Sequence, residues 1–172
     1  MTHSQRYHCL IGIPGSGKST FAQYFLELLP ETLYICPDRI RQQLYGNALV
    51  QGDWSDIQLE ISKQFAIAQV TQQSVLYDAT NIIPDWRRDI LKRYQPTSGQ
   101  WVGWVFKTPL DVCLQRNRDR QRQVPEAIIR HYEQSFKAQP PQLVEGFSEL
   151  VIISGSIRLA ELKQLLISLL EH

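Results

Sequence analysis

The sequence carries almost no net charge: eighteen Lys and Arg against seventeen Asp and Glu leave a formal +1 over 172 residues. A global basic field, the mark of a dedicated nucleic-acid binder, is therefore excluded, and any such contact has to come from a local patch. Cysteine is scarce. Cys9, Cys36 and Cys113 are odd in number and fit no zinc or Cys-x-x-Cys spacing. Two of them fall in strand-like runs, which reads as buried, inert thiols in a reducing compartment. Long hydrophobic runs are missing as well. After a polar start over residues 1–8, the first apolar run spans only 9–13. It is far too short for a signal peptide or a membrane span, so a soluble cytoplasmic protein is expected. Internal repeats and low-complexity segments are absent too.

What is present suits a folded enzyme-sized unit. With 43% apolar and 20% charged residues, the chain has enough apolar material for a full core, and residues 1–172 are expected to form one domain. Short apolar runs at 7–12, 33–36, 74–78, 100–106 and 150–153 predict strands. Helices are predicted at 19–29, 38–45, 54–72, 84–94, 109–117, 125–136 and 157–170. The clearest is 54–72, where Trp54, Ile57, Ile61, Phe65 and Ala68 recur at steps of three and four. Gly46 ends one helix and Pro84 opens another. Residues 139–146 read as a Pro-rich connector and 145–147 as a turn with one anchoring aromatic. Strands alternating with helices imply a mainly parallel five-stranded sheet covered on both faces, a three-layer α/β/α sandwich. Ligands bind such sheets at the carboxyl ends of the strands. That rule places residues 12–19, Asp38 and 78–81 on one edge.

Gly12-Ile13-Pro14-Gly15-Ser16-Gly17-Lys18-Ser19 matches GxxxxGK[ST] in a strand–loop–helix context. Glycines at these positions let the backbone curl so that several N–H groups face phosphate oxygens. The helix start at 17–20, Thr20 included, adds its partial positive charge. Lys18 is expected to reach the β- and γ-phosphates, and the Ser19 hydroxyl to bind Mg²⁺. In the empty protein Lys18 is expected to be a solvent-facing charge with no core contacts. The guanine-reading [NT]KxD, the DxxG switch and the LSGGQ-type signature are all missing, and a short chain with a small-molecule-kinase layout is what remains.

Asp38 and Arg41 form a D-x-x-R step at the end of the second strand, nearly one helical turn apart. Such a pair can serve as a base beside an anion-binding guanidinium, or simply as a first-turn carboxylate in an intrahelical ion pair. Arg39 projects elsewhere on the helix. Asp78-Ala79-Thr80-Asn81 follows the third strand. Asp78 is placed to hold Mg²⁺ through water, with Thr80 and Asn81 on the acceptor side; a turn that caps the next helix is the alternative. Arg116, Arg118, Arg120 and Arg122 alternate. On a continuous helix Arg116 and Arg120 share one side and Arg118 and Arg122 the other, so one pair can face the phosphates. A solvated basic helix or a nucleic-acid contact are the other readings. His3, His8, His131 and His172 show no ligand spacing. Trp101 and Trp104 lie on opposite faces of one strand, which leaves surface exposure of one of them open, with core packing or partial exposure favoured over stacking on a base.

Together, GIPGSGKST at 12–20, DRIR at 38–41, DATN at 78–81 and CLQRNRDR at 113–120 resemble the polynucleotide 5′-hydroxyl kinase group, within the zeta-toxin and AAA_33-like P-loop phosphotransferases. VPEAIIRHYEQSF at 124–136 looks like the helix that follows the lid in that group. The resemblance implies an adenylate-kinase-like fold with an Arg-rich lid at about 114–136. It further implies ATP as donor, Asp38 as general base, Arg41 on an acceptor phosphate, and Arg120 as the lid arginine with Arg116 nearby. A nucleic-acid 5′ end is the implied acceptor, with a small metabolite or nucleoside as the alternative. The group often carries phosphatase or ligase domains beside the kinase unit.

Overall fold

The computed structural model describes residues 5–48, 50–97, 99–121 and 123–170. The elements are β1 (Arg6–Ile11), α1 (Lys18–Leu28), β2 (Leu33–Ile35), α2 (Pro37–Tyr45), α3 (Trp54–Thr71), β3 (Val75–Asp78), α4 (Pro84–Arg93), β4 (Gln100–Phe106), α5 (Leu110–Arg118), α6 (Glu126–Ala138), β5 (Phe147–Ile153) and α7 (Leu159–Leu170), with a 3₁₀ turn at Leu143–Glu145 before β5. The five strands pair in the order β2-β3-β1-β4-β5, every pairing parallel. The chain leaves β1 toward one edge and returns from β3 across it to β4. Strand ends therefore splay open beside β1, the place where such sheets take ligands.

Both faces of the sheet are buried, which is why the central strands read as unbroken apolar runs. Tyr7, Cys9 and Ile11 of β1 point into one core, shared with Ile57, Ile61, Phe65 and Ala68 of α3. Leu10 points into the other, shared with Phe21 and Phe25 of α1 and Leu162 and Leu166 of α7. Trp101 and Trp104 of β4 divide between these cores at 1% and 0% exposure, so neither reaches the surface. The indole N–H of Trp101 donates to the Tyr94 carbonyl at 3.0 Å, and that of Trp104 to His8 Nδ1 at 3.1 Å. Burial pushes the His8 pKa down to about 3, so this imidazole is a neutral core acceptor.

Local signals fix the helix ends that frame the ligand edge. Gly46 caps α2 at φ 69°. The Asp53 carboxylate accepts the Ser55 N–H at 2.8 Å and starts α3. β5 begins at Phe147, three residues earlier than the apolar run suggests. Pairing with β4 starts at Trp101 and Phe147 and shifts register just after, so Ser148 is passed over and Glu149 pairs with Val102, both as exposed residues of an edge strand. Among the described residues, no helix is long and apolar enough to cross a membrane.

Candidate active site

The loop from β1 to α1 is held in shape by its neighbours. The Gly12 N–H donates to the Thr80 carbonyl at 3.0 Å, and the Thr108 hydroxyl donates to the Ser16 carbonyl at 2.8 Å. Gly15 (φ 84°) packs so closely that a Cβ would overlap the carbonyl of Cys113. The loop is thus clamped between the 78–81 turn and the start of α5. Gly12 and Ser16 are buried inside this clamp, while Thr20 is exposed on α1.

Lys18 is not solvent-facing. It is 9% exposed, and its ammonium donates to the carbonyls of Gly12 at 2.7 Å and Ile13 at 3.0 Å. The loop's own carbonyls are its acceptors, and the side chain folds back onto them. Burial lowers its pKa to about 8, partly offset by Asp78. Asp78 is itself buried, and its pKa is raised for the same reason, with Lys18 the main opposing influence. For both groups burial outweighs the attraction of the other. The Tyr34 hydroxyl donates to Asp78 Oδ2 at 2.7 Å.

Lys18 and Asp78 sit in a cleft of about 1130 Å³ that also takes in Pro14, Gly15, Gly17, Ser19, Asp38, Arg41, Thr80, Asn81 and Arg120. Most of the residues singled out in the sequence thus share one cavity; Gly12, Ser16, Thr20 and Arg116 do not line it. Asp38 and Arg41 make the intrahelical ion pair, Nη1 to Oδ1 at 2.7 Å, and face the cleft as well. The intrahelical ion pair of the sequence reading is thus present, on the wall of the cleft. The Arg41 side chain is only 14% exposed, and its Nε is buried with no hydrogen-bond partner among the described residues. The Arg39 guanidinium instead lies over the Tyr34 ring, 5.3 Å from its centroid.

The turn at 79–81 does more than line the cleft. The Asn81 amide donates to the Leu10 carbonyl at 2.8 Å, and its backbone adopts φ 50°. This side chain ties the turn to the end of β1. Beneath it lies a buried ion pair that local sequence reasoning does not reveal. Arg87, fully buried, makes a bidentate contact to Glu145 at 2.6 and 2.7 Å and donates to the carbonyls of Asn81 and Ile82 at 3.1 and 2.6 Å. Its sequence signal is faint: an arginine one position after Trp86 on a charged helix, paired with a glutamate in a turn.

The arginine run is not one helix. α5 stops at Arg118, and Arg120 lies in the bend beyond it. The amide of Asn117 closes this bend in both directions, donating to the Val124 carbonyl at 2.8 Å and accepting its N–H at 2.9 Å. Arg118 turns outward to Glu126 at 2.7 Å, and Arg120 lines the cleft. Arg116 contacts the Gly15 carbonyl at 3.4 Å and the Ser156 hydroxyl at 2.7 Å, bracing the loop from outside the cleft. Arg122 lies outside the described residues.

Among the described residues, no group of three or more His, Cys, Asp or Glu is gathered to hold a metal alone. Mg²⁺ asks for less, since it keeps waters and phosphate oxygens and takes one or two protein oxygens. The Ser19 hydroxyl and the buried Asp78 carboxylate, both on the cleft wall, fit that demand.

Residues 8–139 match the family model AAA_33, described as an AAA domain. The chain belongs to the AAA_33 family of P-loop kinases. It is 27% identical over 135 residues to the L-seryl-tRNA(Sec) kinase of Methanococcus maripaludis, covering 74% of this chain and 51% of that protein. It is similar to a chain in the structure of the Pnkp1/Rnl/Hen1 RNA repair complex, with TM-score 0.66 and 24% identity over 79% of this chain and 45% of that one. The chain thus spans about half the length of these relatives. A putative kinase from Chloroflexus aurantiacus shares the fold end to end, with TM-score 0.69 and 15% identity over 98% of this chain and 97% of that one.

Proposed function

We propose that this AAA_33 kinase moves the γ-phosphate of ATP to a hydroxyl group, and that the acceptor is the 5′-OH of a nucleic acid. The observation that supports it best is the Asp38–Arg41 pair, 2.7 Å apart and lining the same cleft as Lys18 and Ser19. A module that only bound nucleotide would not need a carboxylate and a guanidinium there. Two relatives, a seryl-tRNA kinase and a chain of an RNA repair complex, support the same reading.

In this reading the loop N–H groups of 12–19 and the start of α1 cradle the phosphates. Lys18 exchanges the carbonyls of Gly12 and Ile13 for phosphate oxygens. Ser19 and Asp78 would hold Mg²⁺, which would supply charge neutralisation at the phosphates. Arg41 orients Asp38 and binds the acceptor's 3′-phosphate. Asp38 takes the proton of the 5′-hydroxyl as its oxygen bonds to the γ-phosphorus and the bond to the ADP oxygen breaks. Arg120 approaches the transferring group from the bend after α5. The segment at about 114–136, from the end of α5 through most of α6, acts as the lid of a single domain.

The test uses labelled ATP with matched acceptors: a nucleoside, its 3′-phosphate, a 5′-OH oligonucleotide and sugars. Acceptors with a 3′-phosphate are expected to be preferred by roughly ten- to several hundredfold. Arg41→Ala should lose most of that preference. Asp38→Asn should slow transfer by roughly 10²–10⁴ while still binding ATP. A preference for a phosphate-free metabolite would replace the nucleic acid with a small-molecule acceptor, and ATP binding without any labelled product would leave a nucleotide-binding module.

A further inference from the structure

Four tryptophans divide into two pairs. Trp101 and Trp104 are core. Trp54 and Trp86 are each 50% exposed, yet both line the cleft. Trp54 opens α3 and Trp86 lies in the first turn of α4. Along α3, Trp54, Gln58 and Ile61 face the cleft at steps of four and three; along α4, Trp86 and Ile90 do so at a step of four. Farther along, the helices are pinned together. The Ser62 and Tyr94 hydroxyls are hydrogen-bonded at 2.7 Å, and the Phe65 and Tyr94 rings stack at 4.2 Å. The acceptor half of the cleft therefore lies between the N-terminal halves of α3 and α4, with an indole on each wall. Among the described residues neither indole has a ring or hydrogen-bond partner.

We propose that Trp54 and Trp86 hold the base of the acceptor's terminal nucleotide, so that the acceptor is read as one nucleotide and not as a long polyanion. This rests on the nucleic-acid reading above and deepens it. Indole faces stack on any base and tolerate sequence, whereas a polyol needs hydrogen-bonding groups on those walls. The charges beside Trp86 are neutralised in pairs, Asp85 with Arg88 at 2.9 Å and Asp89 with Arg93 at 2.8 Å. That wall offers no positive track for further phosphates, in keeping with a net charge of +1. Arg41 supplies the contact to the first phosphate.

Two measurements test this. In the first, short 5′-OH oligonucleotides with either a normal or an abasic 5′ residue are phosphorylated by wild type, Trp54→Ala, Trp86→Ala and the Phe variants. For the normal acceptor, each Ala variant should raise KM about five- to a hundredfold and lower kcat far less. For the abasic acceptor KM should already be high in wild type and change little in the variants, and Phe should restore most of the loss. Equal use of the two acceptors by wild type, or equal losses on both in the Ala variants, would overturn the proposal. In the second, a nucleoside 3′-phosphate is titrated while tryptophan fluorescence is followed, with no chemistry required. Saturable quenching that the Phe variants diminish is expected. Quenching without phosphoryl transfer to any 5′-OH would sink the kinase acceptor but keep the base site, and no quenching would sink the base site.

Discussion

At the scale of single residues, Lys18 shows how a motif fixes identity and leaves the resting state open. The GxxxxGK[ST] pattern says that a lysine meets phosphate. It does not say where the lysine waits, because its acceptors in the empty protein are backbone carbonyls that carry no side-chain signal. In the fold those carbonyls belong to Gly12 and Ile13, and Lys18 is buried against them. Its folded pKa of about 8 lies below the unfolded value near 10.4. Below about pH 8 both states hold the proton and the full burial penalty is present. Between about 8 and 10.4 the unfolded chain holds more protons, so stability from this residue rises with pH. Denaturant melts of wild type and Lys18→Met from pH 7 to 10.5 should show wild type gaining on the variant by up to roughly 3 kcal/mol. A flat difference would mean that the ammonium is not desolvated. The variant should also lose phosphoryl transfer. The tryptophans teach a related lesson: strand alternation sent attention to Trp101 and Trp104, but a sheet covered on both faces buries both, and the cleft-facing pair sits at helix starts, where periodicity assigns Trp54 to the core stripe.

At the scale of elements, most strands and helices were legible because apolar runs bounded by Gly and Pro leave few alternatives. The exceptions have identifiable causes. β5 begins in a polar stretch because an edge strand needs only one buried face at a time. The arginine run looks like a continuing helix, since nothing in RNRDRQR stops one locally. In the fold the amide of Asn117 clasps the backbone of Val124, seven residues on, and closes a bend there. That clasp separates the two arginines that a helix would have placed on opposite sides, leaving Arg118 with Glu126 and Arg120 at the cleft. Arg120→Ala should therefore lower kcat by ~10³ or more, the scale of a lid arginine on a transferring phosphoryl group. Arg118→Ala, losing one exposed ion pair, should hardly change stability or rate. Single-turnover kinetics and melting curves on the two variants would decide. Equal, small losses of rate at both positions would mean a solvated basic segment instead of a lid.

At the scale of the whole molecule, the site depends on a contact between parts far apart in sequence. Arg87 of α4 joins Glu145, 58 residues away, and its remaining N–H groups hold the carbonyls of Asn81, Ile82 and Gln139. One guanidinium thus ties together the turn that braces the P-loop, the end of α6 and the approach to the edge strand β5. The pair is nearly dry, with the Arg87 and Glu145 side chains at 0% and 5% exposure. In such a setting mutual attraction roughly offsets the cost of removing both charges from water, so the intact pair adds little net stability. Breaking it differs, because the surviving charge stays buried. Glu145→Ala is expected to cost about 3–5 kcal/mol, far more than removal of an exposed pair. Replacing both partners with apolar residues of similar size, Arg87→Met with Glu145→Leu, should recover much of that loss. The carbonyls of Asn81, Ile82 and Gln139 would remain without a donor, at about 1–3 kcal/mol for each that water cannot reach, so recovery should be incomplete. Denaturant melts of wild type, Arg87→Met, Glu145→Leu and the double variant form a cycle that reads the coupling directly. A Glu145→Ala loss under about 1 kcal/mol would show that water already reaches the pair and that the clasp does not hold the site.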